Sequence, residues 1–141
     1  MGHPLGMAAA TANVEAMIEG KIVAAQVGDY LGEQLKRLEL EHKSIGYVNG
    51  SGVFWSLEIV KDRETREAFI PLDRNLVYAG DVSRVVSEII IHKALEKDVL
   101  IGGFVPNSLR IGPPCTVKRE EVNKAMEALD YALSYIDEMG D

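Results

Sequence analysis

Cysteine is nearly absent, with Cys115 as the single thiol in 141 residues. A lone thiol closes no internal disulfide, which agrees with a reducing compartment and predicts a cytoplasmic location. Cys115 stands between Pro114 and Thr116 with no histidine near it in sequence, so it reads as a small packing residue and not as a nucleophile. No run of about 18 apolar residues occurs, so no bilayer-spanning segment is expected. The start, Met1-Gly2-His3-Pro4, has neither a basic flank nor a continuous apolar stretch, and predicts no secretory leader. Positive charge is in the minority: 15 Lys and Arg against 22 Asp and Glu give a net charge of −7. The basic residues are scattered, which argues against a nucleic-acid partner, since phosphate binding needs them clustered on one surface. No metal site is predicted.

What is present describes one soluble domain over residues 1–141, with 47% hydrophobic and 26% charged residues. Pro4 followed by an alanine-rich run predicts a helix to about Glu19, with Gly20 as a left-handed stop. A second helix is predicted from about Lys21 to His42, because Val27, Leu31, Leu35 and Leu38 recur at helical steps. Tyr47–Gly50 and Gly52–Val60 read as strands punctuated by glycines. Between Lys61 and Gly80 no period holds, which predicts a long excursion. Asp81 is placed to cap a helix with Val82, Val85, Val86, Ile89, Ile90 and Ala94 on one face. Short strands follow near Leu100-Ile101 and Leu109–Ile111, the first interrupted by Gly102-Gly103. Thr116 is predicted to cap a last helix that buries Val122, Ala125, Met126, Leu129, Ala132, Leu133 and Ile136. The sum is α+β: a small antiparallel or mixed sheet with helices on one face.

The residue with the most chemistry in it is Arg110, set between Leu109 and Ile111 at the end of a strand-like run and just before Gly112-Pro113-Pro114. A guanidinium buried or half-buried there needs a negative partner, and its planar fork suits a carboxylate held by two parallel hydrogen bonds. That partner is either a ligand or one of the chain's own acids, such as Glu58.

The order of motifs resembles the C-terminal portion of class III aminotransferases, pyridoxal-phosphate enzymes of fold type I. Its carriers are Gly2-His3-Pro4-Leu5-Gly6-Met7-Ala8-Ala9-Ala10, Gly50-Ser51-Gly52 before a strand with Leu57-Glu58, Lys61-Asp62-Arg63-Glu64-Thr65, and Leu109-Arg110-Ile111-Gly112-Pro113-Pro114. The resemblance covers essentially the whole chain. It implies the small domain of that fold, with residues 1–19 as the helix joining it to a large domain. It implies that Arg110 binds the carboxylate of an amino- or oxo-acid substrate opposite the cofactor. It also implies that the Schiff-base lysine lies upstream of Gly2-His3-Pro4, matched by none of this chain's lysines. The threonine that reaches the cofactor phosphate of a neighbouring subunit would stand just ahead of Gly2, where Met1 interrupts the motif. The aspartate on the pyridine nitrogen and the stacking aromatic are implied to be upstream as well. Gly2 and His3 are carried as further site candidates, beside a plain reading in which proline fixes the helix start and the histidine packs or caps. Asn49, where relatives often have arginine, is given no function.

Two functions are therefore expected. The first is a truncated or separately expressed C-terminal domain of a transaminase moving an amino group between an amine or amino acid and an oxo-acid, of ω-amino-acid:pyruvate type by the look of Gly102–Asn107. Pyridoxal 5'-phosphate would serve the full-length parent, none would bind this chain alone, and the chain alone would be inactive. Its partners would be the missing large domain and a second subunit of a homo-oligomer. The alternative is a free-standing, non-enzymatic α+β module binding an anionic small molecule or a partner protein. A dinucleotide-binding reading fails, because Gly50-Ser51-Gly52 leads into a strand instead of a helix.

Overall fold

Leu31, Leu35 and Leu38 form an inward stripe of helix α2 (Ala24–Glu41), and all three are buried. In the computed structural model, which describes residues 3–20, 24–70, 86–105 and 107–139, that stripe meets a β-hairpin. The hairpin is β1 (Ile45–Ser51) and β2 (Phe54–Ile59), and its turn runs through Gly52 at φ +56°. Gly28 on α2 lets the helix touch this turn, since a Cβ there would sit 2.4 Å from the Gly52 carbonyl carbon. Alternation does the rest. Val48, Leu57 and Ile59 point into the core, while Tyr47, Asn49, Phe54, Ser56 and Glu58 face outward.

Helix α3 (Val86–Leu95), strands β3 (Gly102–Val105) and β4 (Ser108–Ile111), and helix α4 (Arg119–Met139) complete the unit. The sheet is four-stranded in the order β1-β2-β4-β3, and every pair is antiparallel. Helices α2, α3 and α4 share one core with its inner face, built on Ile90, Leu109, Leu129, Leu133 and Ile136 among others. Helix α1 (Pro4–Glu19) stands apart from that core and buries none of its residues. The α+β reading is therefore met, in its antiparallel form.

The free edge of β1 is closed by side chains in place of a fifth strand. Lys36 Nζ donates to Val48 O at 2.7 Å, Glu39 Oε1 accepts from Val48 N at 2.8 Å, and Arg66 donates to Gly46 O at 2.7 Å. Charged groups on an exposed edge keep it from pairing with another chain. Arg63 does more: Nε donates to Ile45 O at 2.9 Å, and Nη2 donates to Glu39 O and His42 O. It thus holds the carbonyl end of α2 and the start of β1 together. Asp62 sets up that reach by accepting from Thr65 N and Thr65 Oγ1 at 2.6 and 2.8 Å. The Lys61–Thr65 motif is a fold device. A second tie is His42, buried with Nδ1 2.7 Å from Asp137 and Nε2 3.0 Å from Asp130, which links the end of α2 to α4.

Several expectations are corrected. Gly20 closes α1 in the right-handed region (φ −72°, ψ −4°), because its N–H reaches Ala16 O and Ile18 O without any left-handed turn. The glycines near position 102 do not interrupt a strand; β3 begins on them, and Gly103 lies where a Cβ would be 2.9 Å from Ile91 Cδ1 on α3. Thr116 does not cap α4. The helix starts at Arg119, and Glu121 Oε2 accepts from Lys118 N at 2.8 Å. The predicted start of α2 at Lys21, all of the excursion after Ile70, the Asp81 cap and the predicted helix positions Val82 and Val85 lie outside the described residues.

Replacing Arg63 with alanine is expected to lower unfolding free energy by about 1–3 kcal/mol, because three carbonyls lose a charged donor. Arg37→Ala, which removes only an exposed contact to Glu41 at 3.6 Å, is expected to stay within about 0.5 kcal/mol. Denaturant melts of the two variants check this. The Thr65 bonds hold the Asp62 carboxyl below its ordinary 3.8, backbone bond first. A depressed carboxyl stabilises the fold above its unfolded value and loses that contribution as pH falls through the folded one. Asp62→Asn should therefore be less stable than wild type at neutral pH and lose less on acidification below pH 3.8, read by melts across that range.

Candidate functional site

Strand register decides where Arg110 lies. Leu57 faces Leu109 across the β2–β4 ladder, and both are buried. The next residue on β4 must then point to the other face. Arg110, opposite Ser56 on β2 and Gly102 on β3, is accordingly exposed, which corrects the expected buried or half-buried guanidinium. Its Cζ lies 5.8 Å from the centroid of the Phe54 ring, a cation–π contact. Phe54 is itself 61% exposed, so the ring is held out on the same side as the arginine.

Beside this pair the chain leaves the sheet through Gly112-Pro113-Pro114 and opens a recess of about 620 Å³ between the end of β4, the residues following α3, and α4. Arg110 and Glu121 are its charged lining residues, and Val99, Ile101, Met126 and Leu129 are among the apolar ones. Glu121 is committed to the first turn of α4 through Lys118 N. Glu58, named from sequence as a possible internal acid for Arg110, pairs with Arg66 at 3.2 Å.

The turn before β4 is pinned by Asn107. Its buried amide accepts from Ile70 N at 3.1 Å and donates to Ile70 O at 2.7 Å, while its own carbonyl accepts from Ile59 N at 2.8 Å. Sequence reading took Asn107 only as a turn residue and passed over Phe54. The outward set Phe54, Ser56 and Glu58 was a legible signal for the ring, because period two places it on the face of any residue beyond Leu109 in an antiparallel partner.

His3 occupies the position before α1, extended at φ −81° and ψ 125°, with its backbone oxygen accepting from Met7 N at 2.9 Å and no side-chain cap bond. It is exposed, and α1 contributes nothing to the lining of the recess. Gly2 lies outside the described residues. Among the described residues no cluster of His, Cys, Asp or Glu could hold a metal, and no helix is long and apolar enough to cross a membrane.

The unit is thus of the α+β class, an antiparallel sheet with an outward arginine and an apolar recess beside the end of β4. The model of the aminotransferase class-III family matches residues 1–133, and the chain belongs to that family. It is 44% identical to an S-selective transaminase from Arthrobacter sp. solved with alanine bound, with a TM-score of 0.85 over 96% of this chain and 29% of that one. A leucine/methionine racemase of Thermococcus litoralis is 29% identical over 140 residues, 98% of this chain and 28% of the racemase. A diaminobutyrate–2-oxoglutarate transaminase of Halomonas elongata is 34% identical over 140 residues, 96% of this chain and 27% of that protein. The chain thus spans under a third of the length of these relatives.

If the Phe54 ring holds the guanidinium, the Arg110 side-chain N–H protons are shielded by its ring current. Phe54→Leu is expected to move their resonances downfield in the proton–nitrogen spectrum. Unchanged shifts would show that the contact is not populated in solution.

Proposed function

We propose that this chain is the substrate-facing domain of a pyridoxal-phosphate-dependent transaminase, in which Arg110 receives the carboxylate of the amino- or oxo-acid. The observation that carries the reading is the outward guanidinium at the mouth of the recess, within a chain that matches the family over residues 1–133. An exposed arginine beside an apolar wall can offer two parallel N–H bonds to a carboxylate once water is excluded by a covering domain. The Arthrobacter relative holds alanine, which is such a carboxylate, and this supports the same use here.

The described residues around Arg110 do not by themselves fit the cofactor. Pyridoxal phosphate needs a lysine for its aldehyde, and no lysine is among the recess lining. The chain alone is therefore inactive, and a large domain supplies the cofactor site. Helix α1 fits the joining role: Leu5 and Ile18 are 73% and 71% exposed, and an apolar helix left wholly in water marks a contact surface. In the complete protein that domain covers α1, and two subunits assemble. The racemase among the relatives means that amino transfer, as opposed to epimerisation, has to be tested directly.

Exchanging this chain for the matching 29% of the Arthrobacter enzyme gives that test. The chimera is expected to transfer amino groups from amino acids. Its Arg110→Gln form should lose roughly tenfold to a hundredfold in kcat/KM for carboxylate substrates and little for an amine without one. Equal losses on both, or racemisation without transfer, would contradict the reading. The chain by itself is expected to associate with rising concentration in sedimentation runs, and Leu5→Glu with Ile18→Glu to suppress this. A monomer at all concentrations that binds an apolar dye no better than ordinary globular proteins would count against α1 as a contact face.

A further inference from the structure

The outward faces of α3 and α4 gather lysines that are scattered in sequence. Lys93 and Lys97 stand four residues apart at the end of α3, and Lys124, Ala128 and Tyr131 follow one line of α4. Tyr131 and Tyr135, 38% and 44% exposed, stand among them. Lys93 Nζ lies 4.8 Å from the centroid of the Tyr135 ring and Lys97 Nζ 4.4 Å from that of Tyr131, both cation–π contacts. Because α2, α3 and α4 cover the inner face of the sheet, this surface lies on the far side of the helical layer from Arg110.

Charge is unevenly matched here. Glu96 is fully engaged: its Oε1 accepts from Lys93 Nζ at 2.9 Å and its Oε2 from the Tyr131 hydroxyl at 2.8 Å. The Lys93 bond, then the Tyr131 bond, holds the Glu96 carboxyl below its ordinary 4.5, so it is an anion already claimed by two donors. Lys93 is thereby balanced, while among the described residues neither Lys97 nor Lys124 forms an ion pair. These two lysines and Tyr131 line a notch of about 260 Å³, with buried Ala128 as its floor and Glu127 as its one acid. Glu96 fixes the tyrosine and the ring fixes the Lys97 ammonium, so an aromatic and a cation are positioned before any ligand arrives.

We propose that this notch binds a small aromatic phosphate monoester, with the phosphate between the Lys97 and Lys124 ammoniums and the ring against Tyr131. Two ammoniums without carboxylates favour a dianion, and a monoester carries about two negative charges at neutral pH. A carboxylate brings one charge and still meets Glu127. The aromatic part follows from the exposed Tyr131 ring on the wall. Size sets the limit: the notch is below the roughly 300 Å³ of ordinary ligand pockets, which admits one ring joined to its phosphate and excludes a nucleotide. Three lysines with two acids among them are too little for a nucleic acid, whose binding draws on cations matched to many phosphates. The proposal is independent of the carboxylate reading of Arg110.

The test titrates the wild-type chain with phenyl phosphate, inorganic phosphate, phenol and adenosine monophosphate, and follows the side-chain resonances of Lys97, Lys124 and Tyr131. Phenyl phosphate is expected to shift all three saturably, roughly tenfold tighter than inorganic phosphate, and to weaken as salt rises from about 0.01 M to about 1 M. Phenol should leave both lysines unmoved, and adenosine monophosphate should bind no tighter than inorganic phosphate. Lys124→Gln, which breaks no ion pair among the described residues, should weaken phenyl phosphate roughly tenfold. Glu127→Gln should tighten it severalfold, a gain that damage to the fold does not produce. Lys118→Gln, outside the notch, should change nothing. Phenyl phosphate binding no tighter than inorganic phosphate, a response shared equally by Lys118, or indifference to both Lys124→Gln and Glu127→Gln overturns the proposal. Adenosine monophosphate binding tighter than phenyl phosphate overturns it in favour of a nucleotide.

Discussion

The pairing of β4 with β2 is the constraint on which the rest depends. Once Leu109 is set against Leu57 in the core, strand alternation leaves Arg110 only the outer face. A shift of one residue would bury the guanidinium among leucines and isoleucines and put Leu109 into water. The burial of Leu109 against Leu57 thus already sets the arginine on the outer face. The Asn107 clamp on Ile70 and the Ile59 bond to Asn107 O support the same register at the turn. Stability and presentation of the charged group are thus one event.

The unit is finished on one side and unfinished on the other. Its inner sheet face is buried under α2, α3 and α4, and the free edge of β1 is closed by Lys36, Glu39, Arg63 and Arg66. Arg110 and Phe54 lie on the outer face of the sheet, and α1 carries apolar residues into solvent. A carboxylate held only by an exposed guanidinium competes with water and salt. The same pair enclosed by a second domain is far stronger, which is why the arrangement makes chemical sense as one wall of a divided site.

How much of this could be read from residues alone follows from the physics of each element. The stripes of α2 and α4 are long and periodic, so Leu31, Leu35, Leu38, Val122, Met126 and Leu129 were legible as core. The glycine-punctuated hairpin was legible because Gly52 needs a positive φ that other residues resist. Less legible were ends set by tertiary contact: Gly20 does not turn left-handed, and α4 starts at Arg119 under Glu121, past the threonine that looked like a cap. Arg110 was found as a residue but misjudged in burial, because flanking apolar neighbours say nothing about which face an alternating strand turns inward. Phe54 as its ring partner and Arg63 as the clasp of α2 depend on contacts across the sheet and across a loop, which one-dimensional spacing does not contain.

On the proposed function, this chain is the substrate wall of a site whose cofactor wall is encoded elsewhere in the same protein. The measurement that tests this most directly is the sequence of the source DNA ahead of the Met1 codon. The account predicts an uninterrupted frame encoding a threonine close before Gly2 and a lysine further back. An in-frame stop immediately ahead of a genuine start would contradict it, leaving a free-standing domain that binds carboxylates without transferring amino groups.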